Sequence, residues 1–91
     1  MSGQEPWRLE LASTALRDVS RLPEKIALTI LESLPAIEAN PDRLGKLLLL
    51  DLEGQRAARR GAYRVLYRLE EEERVIVVVA IGHRSDVYRP R

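Results

Sequence analysis

The chain has 91 residues, with 15 Lys and Arg against 14 Asp and Glu, a formal charge of +1, one His and no Cys. One small domain, residues 1–91, follows from that length, and it can bury only roughly 60–65% of its unfolded surface. The missing cysteines exclude disulfide frameworks and thiolate metal sites, and a single histidine does not make a histidine metal cluster, so neither metal nor cofactor is expected.

The opening "MSGQEPWRLEL" lacks the apolar run of a signal peptide, and the longest apolar run, Val75 to Ile81, is too short to span a bilayer. A soluble cytoplasmic protein without membrane contact is the expectation. The net charge argues against coating nucleic acid by bulk charge, but its distribution is uneven. Residues 1–46 hold six basic and seven acidic residues, whereas residues 55–68 hold five arginines and no acid. Only Lys25 and Lys46 are lysines. A GC-rich genome favours arginine codons everywhere, which accounts for the ratio but not for the clustering. Arginine's planar fork binds phosphate oxygens in pairs and stacks on bases.

In chain order, "WRLEL" (7–11) alternates apolar and charged residues and predicts a half-buried first strand. Ser13 is the expected N-cap of a helix carrying Ala12, Ala15, Leu16, Val19 and Leu22, which Pro23 ends. A second helix carries the stripe Ile26, Ile30, Leu34 and Ile37. Pro35 lies inside it and predicts a kink or break. "ANPD" (39–42) closes the helical region. "LLLLDLEG" (47–54) is ambiguous between an extended segment and a short strand. Arg56 to Arg60 reads as a strand, with the reversal at Gly61 or Ala62. In the strong strand 62–70, Tyr63, Val65, Tyr67 and Leu69 point one way and Arg64, Leu66 and Arg68 the other. "EEEE" (70–73) reads as a solvated turn. "RVIVVVAIG" (74–82), apolar on both faces, predicts a central strand.

The fold class is therefore α+β, in the order β-α-α-β-β-β, with two helices on one face of a small antiparallel sheet. On the other face, Ile76, Val78 and Ala80 are expected to leave an apolar strip for a partner. Burial under the short C-terminal tail is the competing, less favoured reading.

The antiparallel pairing of 63–69 with 75–82 sets Arg64 opposite Ile81 to His83. Arg64, His83, Arg84 and Tyr88 can then meet at one edge, with Arg59 and Arg60 arriving from the neighbouring strand. Neither a carboxylate pair, a Ser/His/Asp set nor a glycine-rich phosphate loop is present. Fixed positive charge beside a phenol suits attack of a 2′-hydroxyl on its own phosphodiester in RNA. The substrate supplies the nucleophile, and the protein aligns it and stabilises negative charge. Each residue also has a plainer reading. Arg60 and Arg68 suit solvated hairpin charges, His83 a structural role at a strand end, and Tyr63 and Tyr67 the core.

From "LEG" (52–54) through "HRSDVYR" (83–89) the chain resembles the RelE family of bacterial toxins from toxin–antitoxin pairs. The resemblance rests on "GAYRVLY" (61–67), "HRSDVY" (83–88), the upstream β-α-α order and "RLGKLL" (43–48). It implies a RelE-like fold and metal-independent cleavage of mRNA in the ribosomal A site, which inhibits translation and leaves a 2′,3′-cyclic phosphate. By that resemblance Arg64 holds the scissile phosphate, Arg84 stabilises the leaving group and Tyr88 positions the nucleotide. Arg59 is a supporting RNA contact, and Arg56, Arg60, Lys46 and His83 complete the RNA-binding candidates. The implied partners are the ribosome and mRNA, a cognate antitoxin encoded adjacently, and operator DNA only through the antitoxin complex.

Two departures from the family pattern stand out. Where well-known members carry lysines, one a proposed general base, this chain reads Gln55 and Ala57 with Arg56 between them. Arginine is a poor base; His83, Tyr88 or Lys46 could substitute, or positioning alone could dominate. The chain also lacks the final helix of some members. A ParE-type toxin that inhibits DNA gyrase, and a catalytically weak, binding-only member, are the alternative readings.

Overall fold

A computed structural model describes residues 6–41, 45–47 and 55–88. The element order is β1 (Arg8–Leu11), α1 (Ser13–Ser20), α2 (Glu24–Ala39), β2 (Gly45–Leu47), β3 (Gln55–Arg60), β4 (Tyr63–Glu70) and β5 (Val75–His83). The strands form one sheet in the order β1-β5-β4-β3-β2. This is the α+β class read from the sequence, with two refinements. β1 runs parallel to β5, so the sheet is mixed. A short strand, β2, is added beyond β3. The ambiguous 47–54 segment lies outside the described residues beyond Leu47.

Ala12, with extended backbone, caps α1 without a side-chain hydrogen bond, and Ser13 is the first helical residue rather than the cap. Pro23 occupies the corresponding position before α2. Pro35 does not break α2, which runs through it to Ala39. The proline is exposed, so the missing N–H faces solvent and not the core. The stripe on α2 behaves as its spacing predicts, with Ile30, Leu34 and Ile37 buried and Ile26 half-buried. Under the helices these residues meet Ala15, Val65, Tyr67, Ile76, Val78 and Ile81. Tyr67 has no exposed surface, and its hydroxyl donates to the Pro41 carbonyl at 2.6 Å, tying β4 to the end of α2.

The edge strand β1 is blunted from the same side. The Leu9 N–H donates to the Glu38 carboxylate of α2 at 3.0 Å, which removes one donor from a strand edge. Just before β1, the Arg74 guanidinium stacks 4.4 Å from the Trp7 ring centroid. No helix among the described residues is long and apolar enough to cross a membrane.

The sheet face turned away from the helices, the open face, differs from the sequence expectation. Ile76 and Val78 are fully buried beneath the helices, so they form no outer strip. β5 changes phase between them and Ala80: Tyr67 pairs with Val78 but Leu66 pairs with Ala80, which leaves Val79 as an extra residue. This β-bulge sends Ala80 to the open face and Ile81 to the helix face. Ala80 is then buried with Ala57, Leu66 and Val87. The C-terminal tail covers the apolar patch after all, because one valine suffices for a patch made of two alanines and a leucine.

Replacing Tyr67 by Phe removes the hydroxyl that spans from β4 to Pro41. Urea unfolding of Tyr67→Phe is expected to give a loss of about 1–3 kcal/mol, from the carbonyl left without its partner.

Candidate functional site

The β3–β4 hairpin turns through Gly61 and Ala62, with Arg60 paired to Tyr63. Only the first turn residue, Gly61, has a positive φ, at 61°, the pattern of a type II′ turn. Two residues in from this turn, Arg59 opposes Arg64, which on its other side opposes Gly82. The next row on the same face is Ala57, Leu66 and Ala80, so Arg59 and Arg64 stand on the open face. Like charges directly opposed across a ladder destabilise it. Among the described residues no acidic side chain is ion-paired with either arginine. Arg64 is steadied instead by the turn, its Nη1 donating to the Gly61 and Tyr63 carbonyls at 2.9 Å each.

After β5 the chain folds back over this row. The Arg84 N–H donates to the Ala62 carbonyl at 2.8 Å, extending the β4–β5 pairing to the hairpin turn. The N–H groups of Asp86 and Val87 both donate to the His83 carbonyl, at 2.8 and 2.9 Å, closing a helical turn. That turn lays Val87 against Gly82. A Cβ added at Gly82 would stand 3.5 Å from the Val87 Cβ. Arg84 is exposed and Tyr88 is 39% exposed. Arg59 and Arg64 thus stand at one corner of the open face, and Val87 seats against that face the segment that carries Arg84 and Tyr88.

The remaining candidates are distributed differently. His83 opposes Tyr63 on the helix face, with ring centroids 5.5 Å apart and an interplanar angle of 81°. Its Nδ1 accepts the Ser85 N–H at 3.1 Å and lies 2.8 Å from the Ser85 Oγ. A backbone N–H only donates, so Nδ1 carries the lone pair, and the proton of the neutral ring is on Nε2. Arg60 is in the Tyr63–His83 row and borders an apolar cleft with Ile26, Ile30 and Tyr63. Arg56 opposes Tyr67, also on the helix side. Lys46 is placed opposite Ala57, in the row next to Arg59. Arg68 pairs with Glu70 at 2.7 Å, consistent with a solvated charge. Sequence reasoning missed Thr14 and Asp18, two polar side chains flanking buried Ala15 that bond to the backbone of β5. Their polarity beside a core position was the available signal.

The mixed sheet and its two-helix cover define a small α+β fold with an arginine-bearing corner on its open face. Residues 9–88 match the family model described as the ParE toxin of the type II toxin–antitoxin system parDE. The chain is 44% identical to Toxin RelE of Mycobacterium tuberculosis, covering 98% of this chain and 93% of that one, and 38% identical to Toxin RelG of the same organism, covering 92% and 98%. It belongs to the RelE/ParE family of type II toxins. Among solved structures, the toxin–antitoxin complex RelBE2 of M. tuberculosis matches with a TM-score of 0.81 and 35% identity, over 87% of this chain and 99% of that one. The E. coli RelBE complex shares the fold, with a TM-score of 0.70 at 18% identity, over 85% of this chain and 95% of that one.

Gly82 has room for a methyl group but not for a branched side chain beside Val87. Gly82→Ala should leave tryptic cleavage after Arg84 at the wild-type rate. Gly82→Val should accelerate it several-fold while the far-ultraviolet circular dichroism is unchanged, as the C-terminal turn loses its seat.

Proposed function

We propose that this toxin is an endoribonuclease that cleaves mRNA on the ribosome and so inhibits translation. One observation carries the reading: Arg59 and Arg64 oppose each other on the open face with no paired acid among the described residues, under the tail that bears Arg84 and Tyr88. Opposed cations of this kind are relieved by an anion set between them, and RNA phosphate supplies one.

The chemistry follows from what fixed charge can do. The 2′-hydroxyl attacks the adjacent phosphorus, the bond to the 5′-oxygen breaks, and a 2′,3′-cyclic phosphate remains. The proton lost by the 2′-oxygen is balanced by one gained at the 5′-oxygen. Arg64, held by the hairpin turn, binds the phosphate as charge accumulates on its non-bridging oxygens. Arg84 neutralises the departing 5′-oxygen, and Tyr88 orients the nucleotide by stacking or by its hydroxyl. Arg59 adds a second phosphate contact, and Lys46 lies in the neighbouring row. Alignment of the attacking oxygen is the main contribution, since Gln55 and Ala57 offer no basic amine on β3. The ribosome supplies the extended mRNA, and a cognate antitoxin, the kind of partner found in the RelBE complexes, holds the toxin inactive.

In a reconstituted translation reaction, mRNA cleavage should require ribosomes, and Arg64→Ala, Arg84→Ala and Tyr88→Phe should each slow it by roughly 10²–10³-fold. Wild-type rates in all three would overturn the site. The match to the ParE family model favours a second reading, inhibition of DNA gyrase. Loss of supercoiling activity without mRNA cleavage would select it.

A further inference from the structure

We propose that Thr14 and Asp18 of α1 are positioning residues for this site: they hold β5 in its bulged register and so decide which residue meets Arg64. The inference rests on the endonuclease reading above for its functional consequence, and on the main-chain geometry for its structural one.

Along a regular strand, the groups facing one edge recur at every second residue. On the edge of β5 that faces β1, this series is visible at Arg74 and Val78, whose carbonyls accept the N–H groups of Arg8 and Ala12 at 2.9 Å. β1 ends at Leu11, and from there α1 takes over the same edge. The Thr14 hydroxyl donates to the Val79 carbonyl at 2.5 Å, and the Asp18 carboxylate accepts the Ile81 N–H at 2.9 Å. Val79 and Ile81 are out of step with the series by one residue. They face α1 only because Val79 is the extra residue of the bulge.

Thr14 and Asp18, four apart on one helix face around fully buried Ala15, therefore recognise the bulged register and no other. In an unbulged β5, Val79 and Ile81 would turn these groups toward β4. Arg64 would then oppose Ile81, whose side chain would stand on the open face where Gly82 now leaves space for Val87. The turn that carries Arg84 and Tyr88 would lose its seat beside Arg64. α1 lies on the opposite side of the sheet from the arginines, so its effect on them passes through strand register alone.

The test uses the full chain and two measurements. One is the cross-strand nuclear Overhauser contact between Arg64 and Gly82; the other is kcat and KM for ribosome-dependent cleavage. Thr14→Val removes the bond to the Val79 carbonyl and Asp18→Ala the bond to the Ile81 N–H, and the double variant removes both. In the double variant the Arg64–Gly82 contact should be lost or weakened, and kcat should fall by up to roughly a hundredfold, with KM changed much less. Thr14→Ser and Asp18→Asn keep a donor and an acceptor, and should retain both the contact and kcat. If the double variant does not fold, the single variants are read in the same way. An intact contact in both Thr14→Val and Asp18→Ala would overturn the proposal. So would an Asp18→Asn variant as impaired as Asp18→Ala, because charge and not hydrogen bonding would then be the cause. If wild-type protein does not cleave mRNA, the endonuclease reading fails, while the Arg64–Gly82 contact still decides the role of α1.

Discussion

A single change of phase in β5 determines what the two faces of this sheet become. Before Val79 the strand gives Ile76 and Val78 to the helix-covered core. After it, Ile81 returns to that core while Ala80 goes to the open face. One nine-residue strand thereby serves both a large core and a small one. A strand in regular alternation would place Ala80 and Gly82 beneath the helices and an isoleucine on the exposed side. The bulge is what reconciles a strand apolar on both faces with a small residue standing beside Arg64 and under Val87.

The arginines take different roles because a strand alternates. Between Arg56 and Arg68, five arginines sit on two adjacent strands, yet ladder pairing separates them into distinct environments. Arg56 and Arg60 lie on the helix side, Arg68 is neutralised by Glu70, and Arg59 and Arg64 remain opposed on the open face. Three acidic residues are engaged elsewhere: Glu38 on the β1 edge, Asp18 on the β5 edge and Glu70 on Arg68. The near-neutral total charge therefore conceals a locally uncompensated pair. Bulk charge is a poor guide to phosphate recognition when pairing is this local.

Much of the fold was legible because its signals are periodic. The α2 stripe at Ile30, Leu34 and Ile37, and the alternation of Tyr63, Val65 and Tyr67, led directly to the core that forms. The approach of Arg64 to Gly82 followed from counting along a hairpin whose turn was marked. Three features were not legible, for separate physical reasons. β1 is too short for four residues to reveal whether they pair parallel or antiparallel, which depends on the path of the two helices. The bulge leaves no trace in "VIVVVAIG", where neighbouring residues are all apolar and either phase looks equally buried. The covering of the open face depended on Val87, one residue in a polar tail, becoming effective only once Gly82 left it space. At the site, the row that Arg64 joins was readable, and the face on which each neighbour stands was not. His83 was grouped with Arg64 by counting along the antiparallel pairing, whereas the phase of β5 sets it with Tyr63 on the other face.

The C-terminal turn has a thermodynamic character distinct from the rest of the chain. Residues 84–88 are joined to the sheet by backbone hydrogen bonds, by Ser85 against the His83 ring and by the burial of one valine, whereas the helix-covered core interlocks ten buried residues among those described. Regions held by so few contacts open at a small fraction of the global unfolding free energy. The molecule therefore has two stabilities in one chain: a robust scaffold, and a short flap whose closed fraction is set by its own local equilibrium. Substitutions at Val87 and Gly82 would shift that local equilibrium without altering the scaffold, so on the proposed reading potency is separable from foldedness.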